Sequence, residues 1–290
     1  MKIPVKKRYL NSNEAAQILG VNVSTIKRWT DSGKLDCLQT PGGHRKFQMK
    51  HLYAFLKDQP RHAGMLTMTL PDGAVHRTNF LLQSGEFQEL QQVLRNAALS
   101  ADREEVRLIL TGLVLVQYPV YVIFDKVVTP VLHTLGDLWA RGELSIIEEH
   151  VASQLIRDCV IEMQDLVAVP VVSPLPAFCL SFEEDQHDIA IKMVQVVLMS
   201  AGVSVINTGH RTPVDDLELA IRRYNPGNVY MSITYIEDPD NKKQKLKKAV
   251  EICRRKNIPL FVGGQGLVYL ETGLNEGYKI LDTFEDVHNS

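Results

Sequence analysis

Asp185 and His187 stand two residues apart, a spacing at which one carboxylate can hold one imidazole nitrogen while the other nitrogen ligates a metal. A structural or solvated histidine is the competing reading of this pair. A second group of reactive types lies near the N-terminus. Ser24, Thr25, Lys27 and Arg28 fall within one helical stretch, and His44, Arg45 and Lys46 follow a Pro-Gly-Gly turn. Short hydroxyls and basic side chains suit phosphate contacts, and arginine can also read guanine with two hydrogen bonds.

These groups need elements to position them. Asn11 caps a helix through Ala16 and Leu19, with Glu14 completing a capping box and Gly20 ending it. Asn22 caps a second helix, Val23 to Thr30, which Gly33 terminates; helix, short turn and helix make a helix-turn-helix, with Trp29 packed in its small core. The Thr40-Pro41-Gly42-Gly43 turn predicts a wing between two short strands. Residues 61–78, with Gly64, Pro71 and Gly73 and no sustained period, read as a linker between a DNA-binding domain at 1–60 and a helical bundle at 79–170. The bundle helices are expected at Glu86–Leu99, Asp102–Gln117, Pro119–Arg141 and Ile146–Val167, the last capped by Ser145 with Glu148.

From residue 174 to 290 apolar strands alternate with amphipathic helices. Strands are expected at Ala177–Phe182, Ser204–Asn207, Val229–Ile233 and Pro259–Val262, and helices near Ile189–Ala201, Pro213–Tyr224 with Thr212 as N-cap, and Asn241–Lys256. This alternation predicts a flavodoxin-like, doubly wound parallel α/β sheet, so the fold class is multidomain, α and α/β. Ligands of such sheets sit beyond the carboxyl ends of the strands, which is where Asp185 and His187 fall. The run Lys242-Lys243 and Lys245-Lys247-Lys248 reads as a solvated helix face rather than a second DNA site.

Net charge is −2 overall, but residues 1–62 hold 12 Lys+Arg against 4 Asp+Glu, and the remainder is acidic. A small basic unit on a larger acidic one points to double-stranded DNA as partner. Four cysteines without CxxC pairing argue against a disulfide framework or zinc site, and the lack of a signal-like or membrane-length apolar run predicts a cytoplasmic protein.

Three motifs resemble known families. Tyr9 through Phe55, with Asn22-Val23-Ser24-Thr25-Ile26-Lys27-Arg28-Trp29 and Thr40-Pro41-Gly42-Gly43-His44-Arg45-Lys46-Phe47, resembles the MerR-type winged helix-turn-helix, whose members bind palindromes as dimers or larger oligomers. Asp185-x-His187-x-x-Ala190, Gly209-x-x-x-Pro213, Ser232-x-Thr234 and Gly263-Gly264 resemble the cobalamin-binding domain. That resemblance implies His187 as the lower axial ligand of cobalt, Asp185 as its partner, and Ser232, Gly263 and Gly264 lining a slot for the displaced nucleotide tail. Trp139, followed after nine residues by Glu149-His150, resembles the cap of CarH-type cobalamin-dependent photoreceptor regulators, which share the whole domain order.

The last resemblance implies an adenosyl group packed by Trp139, with Glu149 and His150 bonding its ribose and base; the competing reading of Trp139 is a bundle-core aromatic. It further implies a non-enzymatic repressor: adenosylcobalamin stabilises a DNA-binding homotetramer built from dimers, and light breaks the cobalt–carbon bond and disassembles it. The genes so regulated serve carotenoid synthesis and light protection.

The sequence departs from these patterns at three places. Ala190 replaces a glycine, Thr234 a leucine, and Ala140 the histidine that can bind cobalt after photolysis, a role open here to His133 or His150. Two alternatives follow: a repressor of the same architecture that ignores cobalamin or senses another tetrapyrrole such as a bilin, and a corrinoid enzyme subunit.

Overall fold

A computed structural model describes residues 9–65, 75–183, 185–236, 238–270 and 277–290. The basic residues 1–8, the Pro71-Gly73 part of the expected linker and Glu184 fall outside them. The chain divides into two compact units, one ending at Val167 and the other beginning at Ala168.

In the first unit, α1 (Ser12–Ile18) starts with the expected box: the Asn11 side chain accepts from the backbone of Glu14, and the Glu14 carboxylate accepts from Asn11 N–H at 2.7 Å. Helix α2 (Val23–Asp31) begins after Asn22, whose side chain makes no capping bond. Strands β1 (Leu38–Gln39) and β2 (Arg45–Lys46) pair antiparallel across the Pro-Gly-Gly turn, where Gly43 takes φ +75°. Helix α3 (Met49–Asp58) closes the motif. Trp29 packs tilted against Phe55, ring centroids 4.6 Å apart, inside a core of Ile26, Leu35, Phe47 and Leu52.

That core does not stop at the motif. Leu108 and Leu115 of the bundle belong to it, and α3 packs on two bundle helices. The helix-turn-helix is therefore seated on the bundle.

The stretch read as a linker holds a 3-10 turn, Pro60–Met65, and the start of α4 (Val75–Ser84). Helices α5 (Phe87–Leu99), α6 (Arg103–Leu115) and α9 (Ile146–Val167) pack on one another. The fourth bundle member is one rod in three pieces. Helix α7 (Val120–Ile123) and α8 (Thr129–Ala140) flank a π-turn, Phe124–Val128, that adds a residue to one turn and buries Phe124, Val127 and Val128 together. Arg107 and Arg103 both donate to Glu162, at 2.6 and 2.8 Å, pinning α6 to α9. Burial raises the Glu162 carboxyl pKa, but the two guanidiniums outweigh this and hold it below the ordinary range.

The second unit is the expected parallel sheet: β3 (Ala177–Ser181), β4 (Val205–Asn207), β5 (Asn228–Ser232), β6 (Leu260–Gly263) and β7 (Lys279–Leu281), in spatial order β4-β3-β5-β6-β7. The order reverses beside β3, so β3 and β5 border the switch point. Helices α10 (Ile189–Ser200), α11 (Leu217–Tyr224), α12 (Pro239–Arg255) and α13 (Phe284–His288) complete it. Thr212 is not the cap expected of it: a 3-10 turn, Val214–Asp216, precedes α11, and the Thr212 hydroxyl instead bonds that of Thr208 at 2.6 Å.

Candidate functional site

A connected set of polar contacts lies at the switch point. Strand β3 ends at Ser181, β5 at Ser232 and β6 at Gly263, and these residues pair in register, forming a row of small side chains along the carboxyl edge. The β3–α10 loop then turns at Asp185, which is fully buried.

Asp185 is held from two sides. Its Oδ2 accepts the backbone N–H groups of Thr234 at 2.5 Å and Tyr235 at 3.2 Å, both just beyond β5. Its Oδ1 accepts the His187 N–H at 2.9 Å and lies 3.1 Å from His187 Nδ1. Burial by itself raises the Asp185 pKa, but the His187 side-chain bond and the backbone donors outweigh it and leave the carboxyl below its usual range. A carboxylate so placed makes Nδ1 the protonated nitrogen of a neutral His187, which puts the lone pair on Nε2. The His187 side chain is 57% exposed, so the ring stands at the surface on a buried post. Ser181 Oγ also donates to the His187 carbonyl, at 3.3 Å.

The expected slot residues have a different local reason for being glycine. A Cβ on Gly264, at φ +115°, would collide with the Ile233 carbonyl oxygen, and one on Gly263 would lie 2.8 Å from the Leu281 oxygen. The missing side chains make room for the protein's own backbone. Ser232 is buried, with its hydroxyl 3.4 Å from that of Thr234, and Ala190 is half-buried in the first turn of α10.

In the first unit Trp139 is 50% exposed, which rules out the bundle-core reading. It lies at the end of α8, one turn of chain from α9, whose start carries the expected Ser145–Glu148 box. Glu149 and His150 lie together, Nδ1 to carboxylate at 2.7 Å, among exposed Ile146, Ile147 and Val151. His133 is exposed on α8.

On the DNA-binding motif, Ser24, Lys27 and Arg28 are exposed on α2, Thr25 is half-buried, and His44 is exposed on the wing. Arg45 departs from expectation. Rather than projecting, its guanidinium is tied to Asp31 at the end of α2, and its Nε is buried, so it braces the wing against the helix. Lys46 is half-buried beside it.

The lysine run of α12 is the solvated face expected only in part: Lys247 and Lys248 are exposed, but the run also reaches inward. Lys242 is 1% exposed and donates to the Tyr235 carbonyl at 2.5 Å; Lys245 pairs with Glu183 and Lys248 with Asp215. Spacing of three residues was the available signal, since it puts the three on one face. Among the described residues no group of three or more His, Cys, Asp or Glu side chains is placed to hold a bare metal ion, and no helix is long and apolar enough to cross a membrane.

Comparison with known proteins agrees with this layout. Residues 9–60 match a helix-turn-helix domain model, and residues 90–161 and 176–286 each match a model of a B12 binding domain. The chain is 27% identical over 272 residues to the HTH-type transcriptional repressor CarH of Myxococcus xanthus, covering 89% of each. It superposes on the monomethylamine corrinoid protein of Methanosarcina barkeri with TM-score 0.54 at 15% identity, covering 70% of this chain and 96% of that one, a likeness of fold.

Proposed function

We propose, from the premise that the chain is a CarH-type B12-binding regulator of transcription, that it binds operator DNA in the dark as an adenosylcobalamin-held oligomer and releases it in light. The observation that carries this reading is the buried Asp185 presenting an exposed His187 at the sheet's switch point, in a chain that also holds a helix-turn-helix. The donor set suits a corrinoid rather than a bare ion: such a group would bring most of its metal's ligands with it, so one protein nitrogen, from His187, would suffice. His187 would supply Nε2 as lower ligand, Asp185 would fix its tautomer, and Ser232 with the Gly263 and Gly264 backbone would border the nucleotide tail.

When bound, adenosylcobalamin supplies a cobalt–carbon bond that light can break. The chain's own part is to make assembly depend on the group above that bond. By the resemblance, Trp139 would pack its exposed indole against the adenosyl group, and Glu149 and His150 would offer hydrogen bonds to ribose and base. A ligand shifts an equilibrium only by its differential contacts with the two states, so loss of the adenosyl group removes what favoured the oligomer. The oligomer is a tetramer built from dimers, it acts in the cytoplasm as a repressor, and it turns over no substrate. Ser24, Thr25, Lys27, Arg28, His44 and Lys46 meet the DNA, with Arg45 bracing the wing.

The test is an absorption spectrum of the purified protein with adenosylcobalamin, before and after green light. A protein-bound cobalamin spectrum that changes on illumination is expected; no retained cobalamin or no change overturns the reading.

A further inference from the structure

The buried lysine beneath the ligand loop has no role in the reading so far. Lys242 lies in the first turns of α12, is 1% exposed, and sits 5.9 Å from the ring centroid of Phe182 and 5.7 Å from that of Tyr235. These residues flank Asp185 in space: the Phe182 carbonyl accepts the Asp185 N–H at 3.0 Å, and Tyr235 N–H donates to Asp185 Oδ2. Lys242 Nζ donates to the Tyr235 carbonyl at 2.5 Å. Tyr235 is thus gripped at both ends, by Asp185 through its N–H and by Lys242 through its carbonyl.

Removing an ammonium from water is unfavourable unless its partners replace the lost solvation. A residue that only needed to fill space there would be apolar. One turn on, Lys245 pairs with Glu183, whose other oxygen accepts the Val214 N–H at 3.2 Å, so α12 also grips the loop at its entry. The acidic loop and the β5–α12 loop are both anchored to one helix face.

We infer that Lys242 is a positioning residue for the lower cobalt ligand: by fixing the Tyr235 peptide it aims the N–H that orients Asp185, and through Asp185 it sets the tautomer and direction of His187. The inference rests on the corrinoid reading above, and the experiment separates the two. Full-length protein is labelled with [15N]histidine, and the wild type is compared with K242M and K242R. Nitrogen NMR of the ligand-free protein reads the His187 tautomer. Electron paramagnetic resonance of added cob(II)alamin reads whether a histidine nitrogen is bonded to cobalt, since replacing 14N by 15N turns a three-line splitting into two lines.

In K242M, with native circular dichroism, the Nδ1–H tautomer of His187 loses its dominance and the ratio of histidine-bonded to unbonded cobalt falls roughly tenfold or more, as losses around a metal ligand typically do. K242R, which keeps a charged donor, restores most of both. An unchanged tautomer and splitting in K242M overturn the inference. If K242M does not fold, K242Q, uncharged and shorter, is scored by the same two readouts. Should wild-type protein show no histidine on cobalt, the corrinoid reading falls, and the tautomer comparison alone still decides whether Lys242 positions His187.

Discussion

Among the described residues, the pairs His187–Asp185 and His150–Glu149 look alike in sequence and differ in construction. His187 leans on Asp185, which is fully buried and accepts from three backbone N–H groups besides the ring. His150 leans on Glu149 at the open start of α9, where the histidine side chain is 66% and the glutamate 21% exposed. The first pair has one geometry imposed by the fold. The second can turn to suit what it meets, because water replaces each bond it gives up. A fixed donor suits a lasting bond to a metal, and an adjustable pair suits a group that is bound in one state and lost in another.

The comparison breaks most directly when both pairs receive the same change. D185N puts an amide N–H₂ where an oxygen now accepts from backbone or ring, and cobalamin affinity by equilibrium binding should drop roughly 10–100-fold. E149Q should shift the same affinity by no more than about fivefold, the limit for an exposed pair. Equal effects would abolish the distinction. G264A, whose Cβ meets the Ile233 carbonyl, should lower stability in urea by about 1–3 kcal/mol by straining the loop that holds Asp185.

Outside both pairs, E162Q separates fold from site. The lowered Glu162 pKa means its ion pairs stabilise fully above about pH 4.3, the ordinary glutamate value, and fade as pH falls through the depressed one. The stability gap between wild type and E162Q should therefore close on acidification, by urea titration at stepped pH, with cobalamin binding at neutral pH unchanged. The smallest effect is expected of H150A: within about 0.5 kcal/mol in stability, as for surface changes generally.

What was legible in the sequence follows the same division between local and long-range causes. Helix α9 is found at the residues expected because Ser145 and Glu148 form a local box and the apolar period is sustained. The parallel sheet follows from alternating runs, but β7 does not, being three residues long with Lys279 and Ile280 exposed. Helix α4 begins close after Pro71 and Gly73, which hide it. The π-turn at Phe124–Val128 leaves no mark in a 3.6-residue period. Asp185 and His187 were legible as a spacing, whereas the Thr234 and Tyr235 donors come from 49 and 50 residues away. Arg45 and Lys242 read as surface charge because their partners, Asp31 and the Tyr235 carbonyl, are set by tertiary contact.

In the proposed function, His187 holds the cofactor whose response to light governs the DNA-binding motif. This is tested most directly by titrating dark, adenosylcobalamin-loaded protein onto operator DNA, with the mass of the complex followed by light scattering, and repeating after green light with wild type and H187A. The account predicts a tight complex of several copies in the dark, loss of both mass and binding on illumination, and no such contrast in H187A. Equal DNA affinity and mass in dark and light for the loaded wild type would contradict it.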